Sequence, residues 1–251
     1  MTNPNLDVIF EDNHLLVVNK PTGIATMGAD DGPTLHSIAV EYVRKKYNKP
    51  GRVFLGIVSR LDTVTSGVLV LPRTSKSASR LTPQFQPTAK GSGKSAVKVY
   101  LAVVSGYLDQ PSGTFTDFVA KDDRAKRMRI VGPGHPEASE AKLAYQVIAE
   151  HENGSIVAVR LLTGRKHQIR VQFADRGYPI LGDQKYGSAV AFPSGIALHS
   201  WKLQIEHPTL KIPMEFGSKV PSSWNMFADF VKDPEVWDTV KRRFSIESVT
   251  K

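Results

Sequence analysis

The sequence predicts an α+β fold built around a mixed sheet. Strand-like and helix-like segments intermix along the 251 residues without the regular strand–helix–strand alternation of a parallel α/β protein. Hydrophobic residues make up 41% of the chain and charged residues 23%, which is the composition of an ordinary folded protein. Neither an internal repeat nor a break in composition marks a domain boundary, so we expect residues 1–251 to form a single domain.

The first hundred residues are predicted to hold four short strands and two helices. Each strand is a short apolar run rich in β-branched residues, and Thr34 can act as the N-cap of the first helix. The strands are Val8–Phe10, Leu15–Val18, Val53–Val58 and Val68–Leu71, and the helices are one that starts after Thr34 and one within Thr74–Leu81. Gln84–Ser95 is rich in Pro, Gly, Ser and Lys and is predicted to be a mobile loop.

The remainder of the chain is predicted to hold four strands, a helix and a helical tail. The strands are Val97–Val104, Ala141–Ala149, Ile156–Leu162 and Ala197–Ile205, and the helix is His167–Asp175. Lys121–Glu137 is charged and broken by Gly and Pro, which indicates a second long loop. Aromatic residues spaced along about 221–251 indicate one or two amphipathic helices that pack against the body of the protein.

Composition narrows the possible functions. Lys and Arg total 33 against 24 Asp and Glu, which gives a formal net charge of +9 and favours a polyanionic partner, either nucleic acid or an anionic membrane face. The chain has no cysteine, which excludes disulfides, zinc ribbons, iron–sulfur clusters and thiol nucleophiles and fits a reducing cytoplasm. We find no signal-peptide pattern and no apolar run long enough to cross a bilayer.

The segment SRLDTVTSG, residues 59–67, is the most informative one for chemistry. It lies between two apolar runs, so we expect Arg60 and Asp62 at a strand end with their side chains on one face. A carboxylate beside a guanidinium suits an acid that must stay ionised in a cleft. The alternative is simpler, because Asp and Ser-Gly are also favoured turn residues.

A second informative segment is LLTGRKHQIRVQF, residues 161–173. A strand, a glycine turn and a helix start would present backbone N–H groups to an anion. Arg165, Lys166 and Arg170 add positive charge, with Lys166 and Arg170 expected on one helix face, while Ile169 and Phe173 would face the core. These cations either bind phosphate or form a solvated basic surface.

Tyr100 lies within the predicted strand KVYLAVV and shares a face with Lys98 and Ala102. It is either a core residue or part of a pocket wall, where it would act as an aromatic platform or as a phenolic acid or base.

Two other kinds of site have little support. GSGKS, at Gly91–Ser95, lacks the earlier glycine and the preceding apolar strand of a nucleotide-binding P-loop. The seven histidines show no spacing typical of a metal site. We therefore expect no metal and no nucleotide cofactor.

Five motifs, taken together and in order, resemble those of RluA-type RNA pseudouridine synthases. They are VVNKPTGI (17–24), SRLDTVTSGVLVL (59–71), KVYLAVVSG (98–106), LLTGRKHQIRVQF (161–173) and GYPILGDQKYG (177–187). The resemblance implies a pseudouridine synthase catalytic fold, with a largely antiparallel sheet, flanking helices and an active-site cleft in the sheet face. It also implies cofactor-free isomerisation of uridine to pseudouridine in RNA, by a cytoplasmic, monomeric enzyme.

The resemblance assigns roles to individual residues. Asp62 matches the essential aspartate, which attacks the flipped nucleotide, and Arg60 matches the arginine that helps to extrude the base. Tyr100 matches the catalytic tyrosine that stacks on the base and assists proton removal from C5. Arg170 matches the arginine that pairs with the aspartate, and Ile169 a hydrophobic pocket wall. Lys20 and Pro21 match an amino-terminal motif that is expected to be structural. The RNA is expected to be a ribosomal or transfer RNA stem-loop, bound without a separate amino-terminal RNA-binding domain.

The sequence departs from the family pattern at a few positions. The usual HRLDxDTSG reads SRLDTVTSG here, with Ser59 in place of His and Val64 in place of Asp. Lys166 and Tyr178 stand where Thr and His are common. These departures leave a second hypothesis open, a catalytically inactive RNA-binding paralogue of the same fold. The presence of Arg60, Asp62, Tyr100 and Arg170 together favours the enzyme.

Overall fold

The computed structural model describes residues 6–28, 32–86, 95–231 and 234–247. The strands are β1 (Val8–Glu11), β2 (Leu15–Lys20), β3 (Ser66–Pro72), β4 (Val97–Ser105), β5 (Ser112–Asp122), β6 (Arg127–Val131), β7 (Ser139–His151), β8 (Gly154–Leu161), β9 (Leu198–Glu206) and β10 (Pro213–Gly217). The helices are α1 (Leu35–Lys46), α2 (Ser75–Phe85), α3 (Gln168–Asp175), α4 (Ala228–Val231) and α5 (Pro234–Phe244), and shorter 3-10 helices cover Gln184–Tyr186 and Ser222–Phe227. The prediction of an α+β fold is confirmed.

The chain forms two compact units. The first contains Met1–Ala96 and Ser200–Lys219, and the second contains Val97–His199 and Val220–Lys251. The expectation that the whole chain acts as one catalytic domain stays a prediction.

The first unit is a sheet with two helices. β2 pairs with β1 on one side and with β3 on the other, both antiparallel. β9 lies beside β3, and β10 pairs with β9 in an antiparallel hairpin. One core cluster joins alternate residues of these strands to Leu81 of α2, including Leu15, Val17, Val68, Val70, Leu203 and Ile205. The period-two pattern of β2 and β3 therefore directs one side of each strand into this core.

The cap predicted at Thr34 is present, and the second helix of this unit has a threonine cap as well. The Thr34 side chain accepts a hydrogen bond from the Ser37 amide, and the Ser37 side chain accepts one from the Thr34 amide, a reciprocal capping box. The Thr74 hydroxyl accepts from the Ser77 amide at the start of α2. Each cap satisfies amides that have no partner within the helix.

The second unit is an antiparallel sheet in the order β4-β8-β7-β5-β6, with α3 packed against it. Val171 of α3 packs with Val119 of β5 and Ala141 of β7. Phe173 of α3 contacts Phe115 and Tyr145, with ring centroids 5.1 and 5.8 Å away. Ile169, Val171 and Phe173 are all buried, so α3 is fixed against the sheet on more than one side.

Two predicted segments are wrong. Val53–Val58 is not a strand, and a bond from the Gly56 amide to the Pro72 carbonyl (2.7 Å) ties the segment to the end of β3 without a ladder. Lys121–Glu137 is not one long loop, because it contains the end of β5 and all of β6. Its many charges concealed a period-two pattern in which Met128 and Ile130 pack on the core.

The outcome differs among the remaining segments of the chain. β5 and β10 were not predicted as strands. The predicted loop Gln84–Ser95 and the segment Gly91–Ser95 fall largely on residues 87–94, which lie outside the described residues. The aromatic tail is helical over Ser222–Phe227 and in α4 and α5, as predicted. None of the helices described is long and apolar enough to span a bilayer.

Candidate active site

Asp62 lies in the irregular segment that leads into β3. The Thr65 amide donates to the Asp62 carbonyl at 3.0 Å and closes a turn over these residues. The Asp62 side chain is half-buried and the Arg60 side chain is exposed. Neither residue ends a strand as predicted, because residues 53–65 form no strand.

A second loop, residues 20–26, holds the Asp62 segment from the side. The buried Thr26 hydroxyl donates to the Leu61 carbonyl at 2.9 Å and accepts from the Leu61 amide at 3.1 Å. The Gly23 amide donates to the Thr63 carbonyl at 2.8 Å. The backbone on each side of Asp62 is therefore fixed by hydrogen bonds, which restricts the positions open to its side chain.

Lys20, at the end of β2, is fully buried beside this segment. Its ammonium donates to the carbonyls of Pro21 at 2.8 Å, Ile24 at 2.7 Å and Thr63 at 3.4 Å. Burial lowers the pKa of Lys20 to about 8, and the negative charge of Asp62 acts in the opposite direction. Lys20 thus joins the two loops and places a cation within electrostatic reach of Asp62.

Gly67 allows β3 to start where it does. Its φ is +118°, and a Cβ on this residue would lie 2.2 Å from the Ser200 carbonyl oxygen. The Ser200 hydroxyl also donates to the Val68 carbonyl at 3.1 Å. Only glycine fits this close approach, so the glycine of the SRLDTVTSG motif is explained by the packing of β9 next to the Asp62 segment.

Tyr100 lies in the middle of β4, opposite Val159 of β8. Its side chain is 8% exposed. Lys98 lies two residues earlier on the same face, near Gly164, where a Cβ would lie 3.4 Å from the lysine Nζ. Burial lowers the pKa of Lys98. Tyr100 is therefore a buried residue of β4 that shares a strand face with the half-buried Lys98.

The turn before α3 differs from the prediction. α3 begins at Gln168, after His167 in a left-handed conformation with φ 52°. Lys166 therefore lies in the preceding turn and is exposed, whereas Arg170 is on the helix and is buried. The expectation that Lys166 and Arg170 share a helix face is wrong, because the helix starts too late.

Backbone amides of this turn are used within the protein. The Gln168 Oε1 atom accepts from the Arg165 amide at 3.0 Å and from the Thr163 hydroxyl at 2.8 Å. The Thr163 amide donates to the Lys142 carbonyl at 3.1 Å. Thr163 and Arg165 therefore direct their amides to protein acceptors rather than to an anion. The Arg165 side chain is half-buried and donates from Nε to the Glu140 carbonyl at 2.8 Å.

Arg170 is held by a carboxylate to which the sequence patterns gave no role. Asp183 accepts from Arg170 Nε at 2.6 Å and from Nη2 at 2.9 Å. The pair is buried, with side-chain exposures of 6% for Arg170 and 1% for Asp183. Two of the five N–H donors of the guanidinium are thus committed to Asp183, and this fork fixes the plane of the group.

Tyr186 completes the surroundings of Arg170. The guanidinium carbon lies 5.0 Å from the centre of the Tyr186 ring, a cation–π distance. The Tyr186 hydroxyl is 2.9 Å from His167 Nδ1. Asp183 and Tyr186 both belong to the segment GDQKYG, which is part of the fifth motif. That motif is the feature of the sequence that could have indicated a role for them.

The site residues divide between the two units. Arg60 and Asp62 lie in one segment of the first unit, and Tyr100, Arg165, Lys166, Ile169 and Arg170 lie in the second. Ile169 is buried at 3% exposure. The pairing of Arg170 with Asp62 stays a prediction. Within the described ranges, no group of three or more His, Asp or Glu side chains could hold a metal ion.

Comparison with known proteins adds an independent observation. The family described as RNA pseudouridylate synthase matches residues 14–175. The uncharacterized RNA pseudouridine synthase YhcT of Bacillus subtilis (strain 168) is 34% identical over 81% of this chain and 65% of its own length. The dual-specificity RNA pseudouridine synthase RluA of Vibrio vulnificus is 32% identical, over 86% of each chain.

A solved structure agrees with these relatives in fold. The human RNA pseudouridylate synthase domain containing 1 superposes with a TM-score of 0.72 at 23% identity, over 100% of this chain and 99% of that one. At this identity the likeness concerns the fold. The predicted largely antiparallel sheet with flanking helices is confirmed.

Proposed function

The chain belongs to the RNA pseudouridylate synthase family, of the RluA type, and we propose that it isomerises uridine to pseudouridine in RNA. The resemblance inferred from the five motifs is thereby confirmed. The reaction breaks the N1–C1′ bond of the nucleotide and forms a C5–C1′ bond, and the proton that leaves C5 balances the one gained at N1. The enzyme must supply a nucleophile and access to a base that is normally stacked.

The observation that carries this proposal is the way Asp62 is held. Hydrogen bonds fix the backbone at Leu61 and Thr63, and the buried ammonium of Lys20 lies close enough for Asp62 to affect its pKa. A carboxylate with a fixed backbone and a nearby cation is suited to act as an ionised nucleophile. In the proposed mechanism Asp62 attacks the flipped uridine or its ribose while the N1–C1′ bond breaks. The base then rotates and bonds to C1′ through C5, and the bond to Asp62 breaks so that the carboxylate is released.

The remaining site residues are proposed to handle the base. Exposed Arg60 helps to extrude the uridine from its stack, which costs a few kcal/mol. Tyr100 stacks on the extruded base and Ile169 forms an apolar wall. Arg170, oriented by Asp183, is proposed to pair with Asp62. Arg165 and Lys166 are proposed to contact phosphates, with Lys166 the more exposed of the two.

The proposed partner is RNA with a stem-loop, ribosomal or transfer, and the proposed setting is the cytoplasm, with the enzyme acting as a monomer. A net charge of +9 supports sequence-independent attraction to the phosphate backbone.

Carbodiimide mapping tests the function in cells. Pseudouridine is mapped in total RNA from cells with the gene, without it, and without it but carrying an Asp62→Asn copy. We expect at least one site to disappear on deletion, to return with the wild-type copy and to stay absent with the variant. An unchanged map, together with wild-type protein that converts no ribosomal or transfer RNA in vitro, would contradict the proposal.

A further inference from the structure

We propose that residues 121–130 form a basic arm that binds the phosphate backbone of the substrate RNA, away from the reacting nucleotide. The arm consists of the end of β5, the turn that follows it and most of β6. The proposal rests on the proposed function, since it adds a binding surface for the same RNA.

The arm carries an excess of positive charge that the protein does not neutralise. Its ten residues include five cations and two carboxylates. Asp123 pairs with Lys121, and Asp122 accepts a hydrogen bond from the Ala125 amide. The other four cations, Arg124, Lys126, Arg127 and Arg129, make no ion pair with a carboxylate in the described part of the chain.

Two of the cations lie on the outer side of β6, and the other two lie in the turn before it. Met128 and Ile130 of β6 pack on the core cluster that contains Val119, Ala141, Val171 and Tyr186. Arg127 and Arg129 alternate with them and are exposed. Arg124 and Lys126 extend from the tip and are also exposed. A rigid row of exposed cations suits the repeated negative charge of a nucleic acid backbone.

Charged helix surfaces elsewhere in the chain differ from the arm. α1 ends in Arg44, Lys45 and Lys46, but Arg44 and Lys45 pair with Glu41, and Lys46 pairs with Glu11. Pairing with carboxylates weakens the local positive field. The arm therefore differs from α1 because most of its cations have no carboxylate partner, and not because it has more cations.

The arm is also connected to the residues that hold Arg170. The Met128 amide donates to the Tyr186 hydroxyl at 2.9 Å, and Arg127 donates to the Lys185 carbonyl at 3.2 Å. Lys185 in turn donates to the Lys126 carbonyl at 3.2 Å. Since Tyr186 lies against the Arg170 guanidinium, RNA bound by the arm is held at a fixed position relative to Arg170.

The test compares two double variants that each remove two positive charges. Arg124→Gln with Lys126→Gln alters the arm, where neither side chain makes a bond within the described residues that the fold would lose. Arg44→Gln with Lys45→Gln alters α1 and is the matched control. The probe is a fluorescein-labelled RNA stem-loop with a uridine-containing loop, and Kd is measured by anisotropy between about 50 and 200 mM salt.

We expect the arm variant to bind the stem-loop about tenfold more weakly at ~100 mM salt. The slope of log Kd against log salt should fall by about two, because each removed cation leaves one phosphate with its own counterion. The control should change Kd by less than about twofold, because paired and screened charges contribute little.

Three results would overturn the proposal. Unchanged binding by the arm variant overturns it and leaves the proposed function intact. Equal weakening in both variants overturns it as well, since net charge would then explain the result. Wild-type protein that does not bind the stem-loop at low salt overturns the arm and counts against RNA as substrate.

Discussion

Both carboxylate oxygens of Asp183 accept hydrogen bonds from the Arg170 guanidinium, one from Nε at 2.6 Å and one from Nη2 at 2.9 Å. The two residues are 13 positions apart, one on α3 and the other just before the 3-10 helix Gln184–Tyr186. A buried fork of this kind fixes both the position and the plane of the arginine. The arginine proposed to pair with the nucleophile is therefore oriented by a carboxylate of its own.

Asp183→Asn is expected to destabilise the protein and to lower its activity. An NH2 group that cannot accept replaces one oxygen of the fork, and Arg170 loses the negative charge of Asp183, which costs about 3–5 kcal/mol for a buried pair. Urea denaturation gives the free energy of unfolding, and single-turnover assays at saturating RNA give the chemical rate. Glu152→Gln, at an exposed acid outside the site and the arm, is the control and should change neither. A destabilisation below about 1 kcal/mol, typical of a surface pair, would contradict the assigned role.

Lys20 is expected to make stability depend on pH. Its pKa is about 8 in the folded protein against an ordinary value of 10.5, so between these values the unfolded chain binds more protons than the folded one. The free energy of unfolding should therefore rise with pH across this window, relative to a variant without the group, by up to ~1.4 kcal/mol per pH unit. Below about pH 8 this contribution should be flat.

The measurement compares wild type with Lys20→Met in urea at a series of pH values from neutral to alkaline. Titrations of other groups are common to both proteins and cancel in the difference. The free energy of unfolding of wild type minus that of the variant should rise with pH between about 8 and 10.5. Parallel stability curves would show that Lys20 keeps an ordinary pKa.

Thr26→Val is expected to loosen the Asp62 segment. The hydroxyl bonds both the amide and the carbonyl of Leu61, so its removal leaves a buried amide unsatisfied at a cost of about 1–3 kcal/mol. The rate constant for the chemical step should fall while the Kd for RNA stays the same, because the change concerns the position of the nucleophile. Thr26→Ser keeps the hydroxyl and should restore the rate. A serine variant as slow as the valine variant would contradict the assigned role, because the hydroxyl alone would then not be enough to hold the segment.

Local sequence patterns predict local features such as helix caps. They do not predict residues whose role depends on contacts between distant parts of the chain. Thr34 is predicted as a cap because a cap is a local feature. Asp183 was not assigned, since nothing in its immediate neighbourhood shows that it meets Arg170. Val53–Val58 has strand-like residues, but its backbone forms no ladder, and β6 was hidden by its charges. The late start of α3 depends on Gln168, whose side chain binds the preceding turn.

The central claim is that Asp62 is the nucleophile, and the most direct test is conversion of uridine by Asp62→Asn under single-turnover conditions. The substrate is the RNA whose pseudouridine disappears when the gene is deleted, and RNA affinity is measured alongside. The account predicts no detectable conversion by the variant, with a Kd for RNA within about twofold of wild type, because asparagine preserves shape and removes only the charge and nucleophilicity. Conversion by the variant at a rate near that of wild type would contradict it.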